Sequence, residues 1–169
     1  MAIRVGILTV SDRCSRGEAQ DASGPVIRQL VTERLAGQVV REGCVPDERK
    51  QITETLVAWC DSGELDLILT TGGTGFSPRD ITPEATRAVI EREAPGLAEA
   101  MRYEGAKSTP HALLSRALAG IRGRTLVVNL PGSPKAVREG LEVILPALPH
   151  GIEILSGAHG ANQRHEFKV

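Results

Sequence analysis

Aromatic residues account for only 2% of the 169-residue sequence, as one tryptophan, one tyrosine and two phenylalanines. Trp59, Tyr103, Phe76 and Phe167 are widely scattered. They leave no stacking platform for single-stranded nucleic acid, and the core must be mostly aliphatic. Cysteine is scarce too. Cys14, Cys44 and Cys60 are odd in number and lack CxxC spacing, which argues against a disulfide framework or a zinc ribbon. A reducing compartment, the cytoplasm, is the simpler expectation. Neither sign of charge prevails: 20 basic side chains face 21 acidic ones, for a formal net charge of -1. No global attraction to nucleic acid or anionic lipid follows, so any anion binding must be local. The N-terminal apolar run, Val5 to Val10, is too short to span a bilayer and lacks a signal-peptide cleavage pattern, so no membrane association is expected. His111, His150, His159 and His165 form no HExxH or other short ligand pair, and none is assigned to a site.

What the chain does have is 41% hydrophobic residues, enough for one domain to bury a core without disulfides or structural metal. Apolar runs at Ile3 to Val10, Val39 to Val45, Leu65 to Thr71 and Thr125 to Leu130 read as strands. Between them lie helical patterns. Pro25 opens one bearing Ile27, Leu30, Val31 and Leu35, and Ile52, Leu56, Trp59 and Cys60 mark the face of another. Thr82-Pro83-Glu84 reads as a cap, a first-turn proline and a dipole-favoured acid, opening a helix to about Ala94 that Pro95-Gly96 interrupts. A less distinct helical segment follows it. Leu113, Leu114, Ala117 and Leu118 suggest a further short helix, and Ser133-Pro134 caps one bearing Val137, Leu141, Ile144 and Leu145. Strand and helix alternate at least four times, which predicts a doubly wound α/β domain with a mostly parallel sheet and helices on both faces. No repeat or linker divides it.

In such a sheet the strand exits share one edge, so Asp12, Asp47, the Gly72 to Asp80 loop and the Asn129 to Pro134 loop are expected to converge. Helix N-termini on that edge favour a phosphorylated ligand. Thr70-Thr71-Gly72-Gly73-Thr74-Gly75 offers hydroxyls and unobstructed amides suited to an anion nest, or else a tight packing turn. It is not a Walker loop, because no Lys-Ser or Lys-Thr follows, nor a dinucleotide fingerprint, because Pro78 stands where the third glycine is needed. Asp47 and Asp80 follow different strands and could share Mg2+, a hard cation usually completed by water and substrate phosphates. Equally, Asp47 could cap a helix and Asp80 could make an Asx-turn. Asn129-Leu130-Pro131-Gly132-Ser133-Pro134 combines a free amide with a capped helix start, fit to grip phosphate or a purine edge, or simply to turn. Ser11, Asp12 and Ser115 taken singly are ordinary polar loop or cap residues. Cys14 has no evident histidine partner, and no serine lies in a GxSxG elbow.

Taken in order, Thr9-Val10-Ser11-Asp12-Arg13, Asp21-Ala22-Ser23-Gly24-Pro25, Pro46-Asp47, Thr70 through Asp80 and Asn129 through Pro134 resemble the MogA/MoaB family. The similarity runs from about Ile3 to about Leu155. It implies a homotrimeric α/β protein that binds molybdopterin and couples it to AMP from ATP with release of pyrophosphate. Asp47 and Asp80 match the family's two essential acids, and Ser115 matches a binding-site serine. Thr71, Gly72, Gly73, Thr74 and Gly75, with Asn129, Pro131, Gly132 and Ser133, would hold nucleotide or pterin phosphate beside Ser11 and Asp12. Residues 1–156 form the binding domain on this reading, and 157–169 have no assigned role. No second, molybdate-inserting domain is recognisable, which implies transfer to a separate inserting protein. A non-catalytic molybdopterin-binding scaffold is the main alternative, and a nucleotide hydrolase with another substrate is a third.

Overall fold

The apolar runs of the sequence become the inner strands of one sheet, and their uninterrupted hydrophobicity has a structural cause. In the computed structural model, which describes residues 2–157, β1 (Arg4–Val10), β3 (Leu67–Thr71) and β6 (Thr125–Leu130) are buried almost throughout. Their side chains alternate between two cores. Val5, Ile7, Leu67, Leu69, Leu126 and Val128 enter one, while Leu8, Val10, Ile68 and Val127 enter the other. A strand covered by helices on both faces has no polar side to alternate with. The edge strand β2 (Gln38–Val45) alternates between exposed and half-buried residues instead.

With β4 (Arg92–Glu93) and β5 (Ala119–Arg122), the six strands run in the order β2-β1-β3-β6-β5-β4. β1 pairs parallel with β2 and β3, and β3 pairs parallel with β6. The first core packs under α2 (Gly24–Arg34), α5 (Pro95–Ser108), α6 (Pro134–Ile144) and α7 (Leu148–Ser156), and the second under α3 (Arg49–Asp61) and α4 (Thr82–Arg87). From β1 the chain crosses to β2 on one side, then returns past β1 to β3 on the other. That reversal places a crevice at the carboxyl ends of β1 and β3, where open α/β sheets bind ligands.

The far side of the sheet departs from the sequence reading. The helix at Thr82 stops at Arg87 rather than near Ala94, because the Glu91 and Ala94 amides donate to the Ile121 and Ala119 carbonyls, 2.8 Å in each case. This pairing makes β4 (Arg92–Glu93) an antiparallel neighbour of β5 (Ala119–Arg122). Pro95 does not interrupt a helix; it opens α5, where its missing N–H costs nothing. The short helix expected across Leu113 to Leu118 is a 3-10 helix, Pro110–Leu114, and Ala117 and Leu118 lead into β5. β5 returns antiparallel to β6 through Gly123-Arg124, with Gly123 at φ +55°. Thr82 does not cap α4; its hydroxyl donates to the Gly72 carbonyl at 2.9 Å. Gly157 closes α7 in the left-handed conformation, and the rest of the tail, 158–169, lies outside the described residues.

Leu69 sits fully buried at the centre of the first core. Leu69→Ala is expected to lower stability by about 2–5 kcal/mol, read as a lower urea midpoint at unchanged slope.

Candidate functional site

Each exit loop is shaped by what its backbone must avoid or satisfy. Gly72 and Gly73 leave β3 at φ +97° and +63°, a region that side-chain-bearing residues rarely occupy. A Cβ at Gly73 would stand 2.4 Å from Thr82 Oγ1 and 3.0 Å from Asp47 Oδ1, and one at Gly75 would stand 2.9 Å from Asp80 Oδ2. The two acids, far apart in sequence, therefore border the same short stretch of glycine backbone. The Gly72 carbonyl is spent on Thr82 Oγ1 and the Gly73 carbonyl on the Thr82 amide. The Gly73, Thr74 and Gly75 amides meet no protein acceptor among the described residues, as an anion nest requires.

Asp47 and Asp12 hold one another through the main chain. The Asp12 amide donates to Asp47 Oδ2 at 2.9 Å and the Asp47 amide to Asp12 Oδ1 at 3.1 Å. Ser11 Oγ caps α1 (Asp12–Ser15) by accepting from the Cys14 amide at 3.3 Å. Arg79 forks onto Asp12 with Nε and Nη2 at 3.0 and 2.9 Å, and Nη2 also reaches Glu48 Oε1 at 3.0 Å. The guanidinium holds the Asp12 carboxyl below its ordinary value. Burial pushes the Asp47 carboxyl up. The Asp12 amide opposes this shift, the Asp12 and Asp80 charges add to it, and Arg79 again opposes it.

Beside the loop lies a cleft of about 480 Å³. Thr74, Asp80, Ser115, Gly132 and Ser133 line it, and Gly73, Gly75 and Pro131 also border it. Ser133 caps α6, its Oγ accepting from the Ala136 amide at 3.2 Å. Asp47, Ser11 and Asp12 lie outside the lining, on the side of the glycine loop next to α1. Two expected ligand groups are corrected. Asn129 is fully buried: its Nδ2 donates to Thr70 Oγ1 at 3.0 Å and Thr86 Oγ1 at 2.9 Å, and Oδ1 accepts from the Leu118 amide. Thr71, also buried, gives its hydroxyl to the Pro131 carbonyl at 2.6 Å. Both tie strands together instead of facing the cleft, because a buried polar side chain must find partners inside.

Sequence reasoning missed Arg102, His111 and Arg116. Arg102 and His111 line the cleft wall, Arg102 anchored by Nη1 to the Ala117 carbonyl at 2.7 Å. No motif marks either position. Among the described residues no group of three or more His, Cys, Asp or Glu side chains is placed to hold a metal alone. Asp47 and Asp80 nevertheless fit a hard cation. Their donors are all oxygen; Asp47 Oδ2 accepts the Asp12 amide and Asp80 Oδ2 the Ser77 amide at 3.0 Å, the Asp80 charge adds to the upward shift of Asp47, and both carboxylates border the glycine backbone.

Residues 6–150 match the family model described as "Probable molybdopterin binding domain". The chain belongs to that family. It is 44% identical over 156 residues to the molybdopterin adenylyltransferase of Helicobacter pylori J99, covering 92% of this chain and 89% of that one. It is 49% identical over 154 residues to the Drosophila melanogaster molybdenum cofactor synthesis protein cinnamon, of which it spans 26% while 91% of this chain is covered. The structure superposes with a TM-score of 0.87 on the molybdopterin biosynthesis enzyme MoaB of Thermus thermophilus, at 54% identity over 92% of this chain and 97% of that one. The family expected from the exit-loop motifs, and the mostly parallel α/β architecture expected from the alternation of strands and helices, are thus borne out.

The electrostatics of Asp47 have a measurable sign. Its folded carboxyl binds a proton more tightly than the unfolded one, so its contribution to stability is present at acid pH and is lost as pH rises through the folded pKa. Asp80→Asn removes one repelling charge and is expected to move the Asp47 midpoint downward in a carboxyl-carbon NMR titration. An unchanged midpoint would show that the two acids do not sense each other.

Proposed function

We propose that this chain is a molybdopterin adenylyltransferase, joining molybdopterin to AMP from ATP and releasing pyrophosphate. The supporting observation is the glycine loop: unpaired amides on Gly73, Thr74 and Gly75, an acid at each flank, and a cleft opening from the Asp80 side. The name carried by the Helicobacter pylori relative, over nearly its whole length, points to the same chemistry.

In this reading a terminal phosphate oxygen of molybdopterin attacks the α-phosphorus of ATP. The bond from that phosphorus to the bridging oxygen breaks, and the electron pair leaves with pyrophosphate. The Gly73 to Gly75 amides donate to phosphate oxygens and fix the triphosphate for in-line attack. Pro131, Gly132 and Ser133 border the second substrate's place, where the start of α6 favours an anionic group. Asp47 and Asp80 would hold Mg2+, which neutralises the triphosphate and the charge gathering on the leaving pyrophosphate. Ser115 also borders the cleft, its Oγ accepting from the Ala117 amide at 3.3 Å. Residues 1–156 are the functional unit. A homotrimer in the cytoplasm, and transfer of the product to a separate molybdate-inserting protein, complete the proposal on the strength of the family resemblance. Among the described residues no helix is long and apolar enough to cross a membrane.

Incubation with molybdopterin, ATP and Mg2+ should yield pyrophosphate and adenylylated pterin in equal amounts. Pterin binding without turnover would replace the enzyme with a scaffold, and pyrophosphate released without pterin would indicate a nucleotide hydrolase. Asp47→Ala and Asp80→Ala are each expected to lower kcat by about 10²–10³-fold, the cost of losing one preorganised charge-stabilising group. Wild-type rates from both variants would eliminate the two-acid arrangement.

A further inference from the structure

The cleft is lined by distant parts of the chain, and one side chain outside the lining ties two of them together. Arg116 follows Ser115, which borders the cleft. Its Nε donates to the Gly75 carbonyl at 2.7 Å, its Nη2 to the Asp80 carbonyl at 2.8 Å, and its Nη1 to Glu84 Oε1. Its own amide donates to the Thr74 carbonyl at 2.9 Å. The second Glu84 oxygen, Oε2, is buried without a hydrogen-bond partner, so Arg116 is the group that justifies keeping this carboxylate at the start of α4.

We infer that Arg116 is a positioning residue, which sets the glycine loop and Asp80 at working distance from Ser115 without touching substrate. This rests on the adenylyl-transfer reading of the same site. Three of its four contacts are to main-chain carbonyls, so they fix the path of residues 74–80 whatever the side chains there do. By holding the Asp80 carbonyl rather than its carboxylate, Arg116 orients that acid without neutralising it. The same bonds turn the Thr74 and Gly75 carbonyls toward Arg116, so the loop amides are left to face the ligand side. Only a planar fork with separated N–H groups can reach Gly75, Asp80 and Glu84 together; a lysine ammonium acts from a single point.

The test compares the full-length chain with Arg116→Lys and Arg116→Met, assayed for adenylylated molybdopterin and by amide hydrogen exchange. Both variants are expected to lose about 10²-fold in kcat, the scale of a misplacement near 1 Å, with a smaller change in KM for ATP. The Mg2+ concentration giving half-maximal rate should rise, and the Ser77 and Asp80 amides, bonded within the loop, should exchange faster than in the wild-type chain while the β3 and β6 amides do not change. Added guanidinium should restore part of the rate to Arg116→Met. In an Asp80→Asn background, Arg116→Met should add little further loss, because the two act through one element. Losses that multiply in the double variant, or a 74–80 segment equally protected with and without Arg116, would overturn the inference. A wild-type chain that forms no adenylylated pterin overturns the adenylyl-transfer reading and the catalytic half of this one. The exchange comparison still decides the loop-ordering half.

Discussion

A β-carbon at Gly72 would stand 2.2 Å from the Val10 carbonyl oxygen, so β1 and β3 can end side by side only while position 72 carries no side chain. This close approach sets the geometry of the whole edge. The Cα of Gly72 in turn lies 3.4 Å from where a side chain on Gly132 would begin, which brings the β6 exit against the same spot. Thr71 Oγ1 holds the Pro131 carbonyl, and Ser23 Oγ holds the Gly132 carbonyl at 2.7 Å. Three parallel strands thus end in a single backbone layer whose carbonyls are consumed inward. A layer of that kind presents amides to the solvent side, and the local field favours anions although the chain as a whole is nearly neutral.

Into that field the fold places acids, and they are not equivalent. Asp12 is compensated twice, by the Arg79 fork and by its bond to the Asp47 amide, and its proton affinity is lowered accordingly. It serves the backbone. Asp47 gains one amide and the distant help of Arg79, but burial and two neighbouring negative charges prevail and raise its proton affinity. A carboxylate with raised proton affinity beside unpaired amides is the kind of environment found at functional sites. Asp80 lies on the cleft side of the same loop, its Oδ2 accepting from the Ser77 amide.

The sequence made the parallel half of the sheet legible because its signals are local. An apolar run that stops at glycine or proline marks both a strand and its exit, and Ser133-Pro134 announces the start of α6 from two residues. The antiparallel half carries no such signal. β5 has four residues and β4 two, too few for any period to be read, and Pro95 has the same letter whether it ends a helix or begins one. What decides is tertiary: the Glu91 and Ala94 amides find β5 carbonyls, and Gly120 leaves room for Ile90, whose Cδ1 would lie 2.4 Å from a Cβ there. Asn129 misled for a related reason. An asparagine at a strand exit looks like a ligand until the chain's path shows two buried threonines waiting for its amide.

The second wall of the cleft shows which sequence signal was there to be used. Gly105 and Gly140 lie inside α5 and α6, where glycine costs about 1 kcal/mol relative to alanine, so each needs a reason other than turning. Each has one. A Cβ at Gly140 would meet Met101 Sδ at 3.2 Å, and one at Gly105 would meet the Ala112 Cβ at 2.9 Å. These glycines let α5 close on α6 and let the 3-10 segment close on α5, and both line the cleft they shape. Mid-helix glycines thus mark close approach of neighbouring elements, just as the strand-exit glycines do. Read that way, positions 105 and 140 point to α5 as part of the site. The surface they shape mixes Met101, Ala112 and Ala136 with Arg102, His111 and Glu139, so apolar and charged groups alternate along the helices as well as at the loop.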